Sequence, residues 1–353
     1  MRKGNTEMKF IHLIPDSNHL VSLAKNLADI KSDDAHEIVV LPSNSHQKSF
    51  VVKAQDIWPS TATFTGNLAF APEDIVIVHS LFLQHSFEIS KQLIQRRAHV
   101  VWCMWGGDLH MVAQAPAGFD FLNGFSCAIS FCGELVRYPQ ITLPEIPGSC
   151  HKVDASTQSS DLDKEKLIIL GNSGDPSNDH LYMLELASRF KDHRYHIPFA
   201  YNGTPDYRAR LIDKARDLGV WEKTTLQEGM LPLEEYNSII ARAELYFAAH
   251  NRQQALGSLA SAYLNNTRVF MRRVITTPSG QTMANPGYLQ MMNFGYPDVE
   301  DICSLENEDF RQTVELSPFV QNQVTDVHMQ STENRAAVFQ RVKHICYGRA
   351  AQS

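Results

Sequence analysis

No run of apolar residues in this chain approaches the roughly 20 needed to cross a bilayer, so any membrane contact has to be peripheral. Met1-Arg-Lys-Gly-Asn-Thr-Glu leads into no apolar signal segment, and the expected location is cytoplasmic, with room for peripheral contact on the inner face of the membrane. Excess positive charge is also missing. The 32 Lys and Arg are outnumbered by 39 Asp and Glu, for a formal charge of −7, and no basic stripe carries interleaved aromatics. Nucleic acid is therefore excluded as the main partner. Six cysteines (Cys103, Cys127, Cys132, Cys150, Cys303, Cys346) form no CxxC pair and read as reduced residues, mostly of the core. No histidine or carboxylate spacing marks a metal, and no cofactor is called for. Several signatures are absent outright: the third glycine of a dinucleotide fingerprint, the Gly-Lys-Ser/Thr of a P-loop, and a Gly-x-Ser-x-Gly elbow. No Asp-x-Asp follows a strand, which argues against a metal-dependent sugar transferase.

What is present is a soluble α/β pattern. With 43% apolar and 20% charged residues over 353 positions, the chain suits two domains of ordinary size. Strand-like runs at 9–14, 36–41, 74–79, 98–104 and 128–131 alternate with helical periodicity at 17–30 and 81–95. A second series begins with a strand at 166–170 and helix at 178–191. It continues through strands near 194–200, 223–226, 244–249 and 268–272, with helices between them. Residues 139–163 hold three prolines and no sustained apolar period, as an interdomain crossing would. The expected architecture is α/β with two Rossmann-like domains facing a cleft: 1–150, 151–330, and a last helix in 331–353 that could return to the first domain. In open parallel sheets ligands bind just past the carboxyl ends of the strands, so polar residues that follow a strand are the candidates.

Two such places dominate the second half. Leu167-Ile-Ile-Leu-Gly-Asn-Ser-Gly-Asp-Pro-Ser-Asn-Asp-His180 reads as strand, tight loop and helix start, an order that offers backbone N–H groups and a positive dipole end to an anion. A plain Asx-turn with an N-cap explains the same residues without a ligand. In Phe247-Ala-Ala-His-Asn-Arg-Gln-Gln-Ala-Leu-Gly-Ser258, Arg252 can grip a phosphate through its planar fork, and Gly257 and Ser258 permit close approach one turn later. The alternative is a solvent-facing turn with Gly257 at a helix–sheet contact. In the first half, Asp16, His79 and Asp108 each follow or end a strand and are the candidate bases. Capping of the helices near Ser17 and Leu109 is the competing account of the two carboxylates. Trp102 and Trp105 suit either a sugar wall or the core.

Three stretches, Trp105-Gly-Gly-Asp-Leu109, Leu170-Gly-Asn-Ser-Gly-Asp-Pro-Ser-Asn-Asp-His180 and His250-Asn-Arg-Gln-Gln-Ala-Leu-Gly257, resemble the TDP-N-acetylfucosamine:lipid II N-acetylfucosaminyltransferases of enterobacterial common antigen synthesis. The similarity runs from the first strand to about Arg272; beyond it, Val274 to Met283 departs from that family's pattern. The resemblance implies a metal-independent GT-B glycosyltransferase moving a 4-acetamido-4,6-dideoxyhexose from a TDP-sugar to a polyprenyl-diphosphate-linked oligosaccharide. It implies donor contacts at Gly171, Asn172, Ser173, Gly174, Asp175, Ser177, Asn178, Arg252, Gln253, Gln254 and Gly257, with His79 and Asp108 on the acceptor side. Two other readings stay open from the residues: a sugar-nucleotide epimerase or hydrolase of the same fold, and a non-catalytic nucleotide-sugar-binding protein.

Overall fold

The structure, a computed structural model, describes residues 8–42, 49–115, 117–130, 133–152, 163–277, 280–317, 322–323 and 331–350. The chain divides into two compact units, Met1–Val153 with Met329–Ser353, and Asp154–His328.

Unit 1 begins with β1 (Lys9–Pro15), α1 (Asn18–Ile30), β2 (Ala35–Leu41), α2 (Val51–Ile57) and β3 (Thr61–Thr63). It continues with β4 (Ile75–His79), α3 (Gln84–Gln95), β5 (His99–Cys103), α4 (Gly107–Ala113), α5 (Gly118–Leu122), β6 (Cys127–Ser130) and β7 (Glu145–Pro147). The strands pair in the order β3-β2-β1-β4-β5-β6-β7, every pairing parallel. Their near-continuous apolar text, as in Ile75-Val-Ile-Val, belongs to strands covered on both faces. One face packs Phe10, Ile38 and Ile77 against Leu20, Leu23, Ala24 and Leu27 of α1, the i, i+3, i+4, i+7 stripe of an amphipathic helix. The other buries Ile11, Val76 and Trp102 beneath Leu93, Leu109 and Leu122.

Unit 2 holds β8 (Glu165–Leu170), α6 (His180–Ala187), β9 (Arg194–Pro198), α7 (Pro205–Asp217), β10 (Thr224–Gln227), α8 (Leu233–Arg242), β11 (Ala243–Ala248), α9 (Leu256–Leu264) and β12 (Arg268–Met271). The hairpin β13 (Val274–Thr276) and β14 (Thr282–Ala284) follows, then α10 (Pro286–Asn293), β15 (Glu300–Asp301) and α11 (Glu308–Leu316). Its main sheet is again parallel, in the order β10-β9-β8-β11-β12-β15. The order reverses between the unit's first strand, β8, and its fourth, β11. That is the topological switch point, where such sheets bind ligands. The last helix, α12 (Thr332–Ala350), belongs to unit 1 and buries Val338, Phe339, Val342 and Cys346 in its core. Buried Arg335 fastens it to Asn26 and, at 3.5 Å, to Asp29 of α1.

Several elements differ from the sequence reading. The proline-containing stretch 139–163 is not wholly a crossing, because β7 lies in it and pairs with β6; residues 153–162 fall outside the described set, as does Phe131 of the expected strand at 128–131. Four cysteines (Cys103, Cys127, Cys150, Cys346) are buried as expected, Cys303 is exposed, and Cys132 is outside the described residues. Short elements such as α2, α4 and the β13–β14 hairpin escaped periodicity because three to seven residues carry too little of it.

Candidate functional site

In unit 2, Phe247 of β11 lies opposite Leu170 of β8, so the two strands end level and their following loops emerge side by side. The loop after β8 holds its shape by internal bonds. Gly171 extends the ladder by donating to the Phe247 carbonyl (2.9 Å), and the Tyr246 hydroxyl donates to the Gly171 carbonyl (2.9 Å). At φ +70°, Gly171 occupies left-handed backbone, and a Cβ there would lie 2.7 Å from Asn178 Oδ1. Buried Asn178 is the staple. Its Nδ2 donates to the Ser173 carbonyl and Oγ (both 3.1 Å) and the Asp175 carbonyl (3.0 Å), and its Oδ1 accepts from Asn172 N (3.2 Å). Gly174 donates to the Tyr201 carbonyl (2.8 Å) and passes so close to Gly203 that a Cβ would sit 2.6 Å from its Cα.

This corrects one expectation about the first loop. The helix does not start at Ser177 or Asn178: a 3-10 turn at Pro176–Asn178 precedes α6, and Asp175 Oδ1 caps it by accepting from Ser177 N (2.9 Å). Backbone donors meant for an anion are mostly spent on the loop itself. The open helix end belongs to α9. Its N-cap is Ala255 at φ +63°, no side chain caps it, and the N–H groups of Leu256, Gly257 and Ser258 make no hydrogen bond with described residues. A Cβ on Gly257 would meet nothing within 4 Å, so Gly257 faces open space rather than a helix–sheet contact.

Arg252 joins the two loops. Its Nη2 pairs with Asp175 Oδ2 (3.0 Å) and its Nε donates to Ser177 Oγ (3.2 Å), while the Ser177 hydroxyl donates to Gln254 Oε1 (3.1 Å). Nη1 makes no hydrogen bond with a described residue. Burial alone would raise Asp175, but the Ser177 hydroxyl and N–H and the Arg252 charge outweigh it and hold the carboxyl below its usual range. Around this junction lie buried polar atoms without partners among the described residues: Asn172 Oδ1, His180 Nε2, Gln254 Nε2 and both ring nitrogens of His250. Burial lowers His180 to about 4. It lowers His250 to about 3, with Arg252 and Arg272 adding to the effect, so both imidazoles are neutral at pH 7. Gln253 is buried, and Ser258 hydrogen-bonds Tyr236 (Oγ to Oη 3.0 Å). The arrangement presents a guanidinium edge, an uncapped helix pole and unmet amide groups to one place, which is what an anionic, hydrogen-bonding ligand requires.

Residues 145–273 match the family model of the 4-alpha-L-fucosyltransferases, glycosyl transferase group 56. Both loops and Arg272 fall inside that match. It stops at the β13–β14 hairpin, where the departure from the family pattern was read, and does not extend upstream of 145. The fold is that of GT-B glycosyltransferases. The Anabaena protein HepE, solved in complex with UDP and glucose, shares 13% identity at a TM-score of 0.59, covering 98% of this chain and 99% of its own. A trehalose-phosphate synthase (UDP-forming) from Burkholderia vietnamiensis shares 9% at 0.57, with 98% and 99% covered. UDP-GlcNAc 2-epimerase from Neisseria meningitidis, bound to UDP-GlcNAc, shares 12% at 0.52, with 95% and 99% covered. Fucosyltransferase-family match and fold together support a glycosyltransferase that uses a nucleotide sugar.

In unit 1 the three candidate bases sit differently. Asp108 is fully buried and saturated: Oδ2 accepts from Leu81 N (3.0 Å) and Trp102 Nε1 (3.0 Å), Oδ1 from Trp105 N (3.1 Å) and Leu109 N (3.2 Å). Burial raises it despite these bonds. It organises the turn after β5, and Trp102 is a core residue bound to it rather than a sugar wall. Asp16 does not cap α1; its Oδ1 accepts from Phe50 N (2.8 Å), and it stays half-buried. His79 lies inside a string of imidazoles. His151 Nδ1 faces the His19 carbonyl (3.2 Å), His151 Nε2 faces His79 Nδ1 (3.0 Å), His79 Nε2 faces His12 Nδ1 (2.9 Å), and His12 Nε2 faces His36 Nδ1 (3.0 Å). A carbonyl only accepts, so in the neutral string each Nδ1 donates and each Nε2 accepts, ending at His36 Nε2, which has no partner among the described residues. Sequence reasoning missed this string, and missed His250, because the members come from different segments.

Proposed function

We propose that unit 2 binds a TDP-linked 4-acetamido-4,6-dideoxyhexose of the N-acetylfucosamine type and that unit 1 receives a polyprenyl-diphosphate-linked oligosaccharide. The sugar passes from that donor to that acceptor in bacterial surface polysaccharide synthesis, such as that of enterobacterial common antigen. The observation that carries the reading is Arg252 bonded to both Asp175 and Ser177 at the switch point of the second sheet, beside the uncapped pole of α9. An acceptor hydroxyl attacks the anomeric carbon, the bond from that carbon to the diphosphate oxygen breaks, and TDP leaves. Arg252 and the N–H groups of Leu256, Gly257 and Ser258 take up the charge that grows on the leaving diphosphate, so the step calls for no metal ion. Asn172, Gln253 and Gln254 supply neutral contacts, while Gly171, Ser173, Gly174 and Asn178 hold the loop. Of the three base candidates, Asp16 alone combines partial exposure with an oxygen, Oδ2, that has no hydrogen bond among the described residues, and it takes the hydroxyl proton. His79 and Asp108 act as positioning residues.

No described helix is long and apolar enough to cross a membrane. Exposed Phe82 and Met111, on segments following β4 and β5, support contact with a lipid-linked acceptor at the membrane surface. Transfer assays with purified protein, TDP-sugar and polyprenyl-diphosphate-linked glycan test the reading. Product that depends on both substrates is expected; no product with any TDP-sugar, while UDP-sugars are used, would overturn the donor. The epimerase or hydrolase reading has one point in its favour, the fold shared with UDP-GlcNAc 2-epimerase. Labelled donor incubated without acceptor separates the two: free or epimerised sugar as the main product selects it.

A further inference from the structure

The ends of β4 and β5 and the segment after β7 bring His79, Cys103 and His151 together, all buried, with one ligand atom from each within 4.8 Å of the others. The nitrogens His79 Nδ1 and His151 Nε2 stand 3.0 Å apart. Two nitrogens on one tetrahedral zinc ion are separated by about 3.3 Å, given bonds of about 2.0–2.1 Å. The pair is thus already near the spacing a shared ion imposes, and a nitrogen–sulfur separation of at most 4.8 Å has to close by no more than about 1.3 Å. A second thiol is at hand, since Cys150 precedes His151 in the chain and is buried in the same core cluster as Cys103.

The surroundings match those of metal-bound imidazoles, whose remaining ring nitrogen is normally fixed by a carbonyl or another polar group. His151 donates from Nδ1 to the His19 carbonyl, which leaves Nε2 with its lone pair facing inward. His79 must present Nδ1, and the imidazole string allows it. If the protons of His79, His12 and His36 each shift to Nε2, all three rings stay neutral, both hydrogen bonds between them are kept with donor and acceptor exchanged, and the last proton rests on His36 Nε2.

We propose that His79, Cys103 and His151 bind a zinc ion in unit 1, with the Cys150 thiol turning in as the fourth ligand. Binding exchanges the protons of the two thiols for the metal and releases them to solvent. Buried on all sides, the ion meets no substrate and acts as a clamp on the ends of β4, β5 and the segment after β7. Positions 79, 103 and 151 are too far apart in the chain for any spacing rule to reveal them.

The test uses the full chain. Purified protein is stripped with a chelator, reloaded with Zn2+, and assayed for metal by mass spectrometry and for affinity by competition with a chromophoric chelator. One equivalent with sub-micromolar affinity and a raised melting temperature are expected. Co2+ should give tetrahedral d–d bands with a thiolate charge-transfer band. Cys103→Ser and His151→Ala should each weaken Zn2+ binding by roughly a hundredfold or more, since even outer partners of metal ligands are worth 10–100-fold. Absence of stoichiometric Zn2+ binding by the unmodified chain, a Co2+ spectrum without the thiolate band, or undiminished affinity in both folded variants would overturn the proposal.

Discussion

Replacing Arg252 by alanine separates what this side chain does for the fold from what it does for a ligand. In the free protein its charge lies 3.0 Å from Asp175 Oδ2, with only 15% and 26% of the two side chains exposed. At an effective dielectric of about 20, that separation corresponds to roughly 5 kcal/mol of Coulomb attraction. Desolvation and side-chain ordering offset most of it, leaving a net stabilisation of about 1 kcal/mol, and Asp175 keeps its bond from Ser177 N after the change. The melting temperature should therefore fall by only a few degrees. Turnover should fall much further. A charge-assisted donor to a leaving diphosphate is worth about 1.4–4 kcal/mol in the barrier, a loss of ten- to a thousandfold in kcat/KM. Arg252→Lys keeps the charge but loses the fork and should recover part of the rate. Asp175→Asn removes the competing carboxylate and should tighten nucleoside diphosphate binding in a thermal-shift titration. Steady-state transfer assays and melting curves on the same preparations decide the matter. A folded Arg252→Ala protein that retains transfer within about threefold of the parent would refute the assignment of the diphosphate to this junction.

Gly171→Ala should cost about 1–3 kcal/mol in chemical denaturation, since the new methyl meets Asn178 Oδ1 at 2.7 Å in left-handed backbone, and donor binding should weaken with it. Unchanged stability would mean that the loop yields freely. Asp108→Asn puts an amide donor against two of the four N–H groups and should destabilise unit 1 by about 2–4 kcal/mol, read as an early melting transition. Asp16→Asn should lower kcat by a hundredfold or so with little change in melting, and near-normal kcat would reject Asp16 as base. His180 and His250 have folded pKa values of about 4 and about 3, below an ordinary value of 6.5. Their contribution is whole above pH 6.5 and is lost as pH falls toward those values, because the unfolded chain binds the protons first. Each should lower stability by about 1.4 kcal/mol per pH unit in that window. Urea melts at pH 7.5, 6 and 5 measure it, and for His180→Gln/His250→Gln the slope should shrink.

The GT-B fold was legible because its strands are buried on both faces and therefore read as unbroken apolar runs, and because parallel strands require intervening helices. The loops at Gly171 and Arg252 were legible for a related reason: Gly, Asn, Ser and Asp directly after an apolar run have few structural uses. What the letters did not reveal is how those polar groups share their bonds. Asn178 looks like a ligand residue in the text, yet its side chain is spent on Ser173 and Asp175. Ala255, which opens α9 at positive φ, gives no hint of it, because an alanine seldom occupies that backbone. His79 at a strand end and Asp108 shortly after one stood out as polar residues, but their saturation depends on Leu81, Trp102, His12 and His151, partners that no local pattern ties to them.

The docking of α12 has a temporal consequence. Unit 2 is drawn from one continuous stretch, so a ribosome can finish it while the chain is still growing. Unit 1 cannot close until Val338, Phe339, Val342 and Cys346 emerge to cover the face that carries Phe10 and Ile38. The half made first is therefore the half completed last, and a nascent chain halted before Thr332 should resist protease in its second sheet while its first remains open to attack.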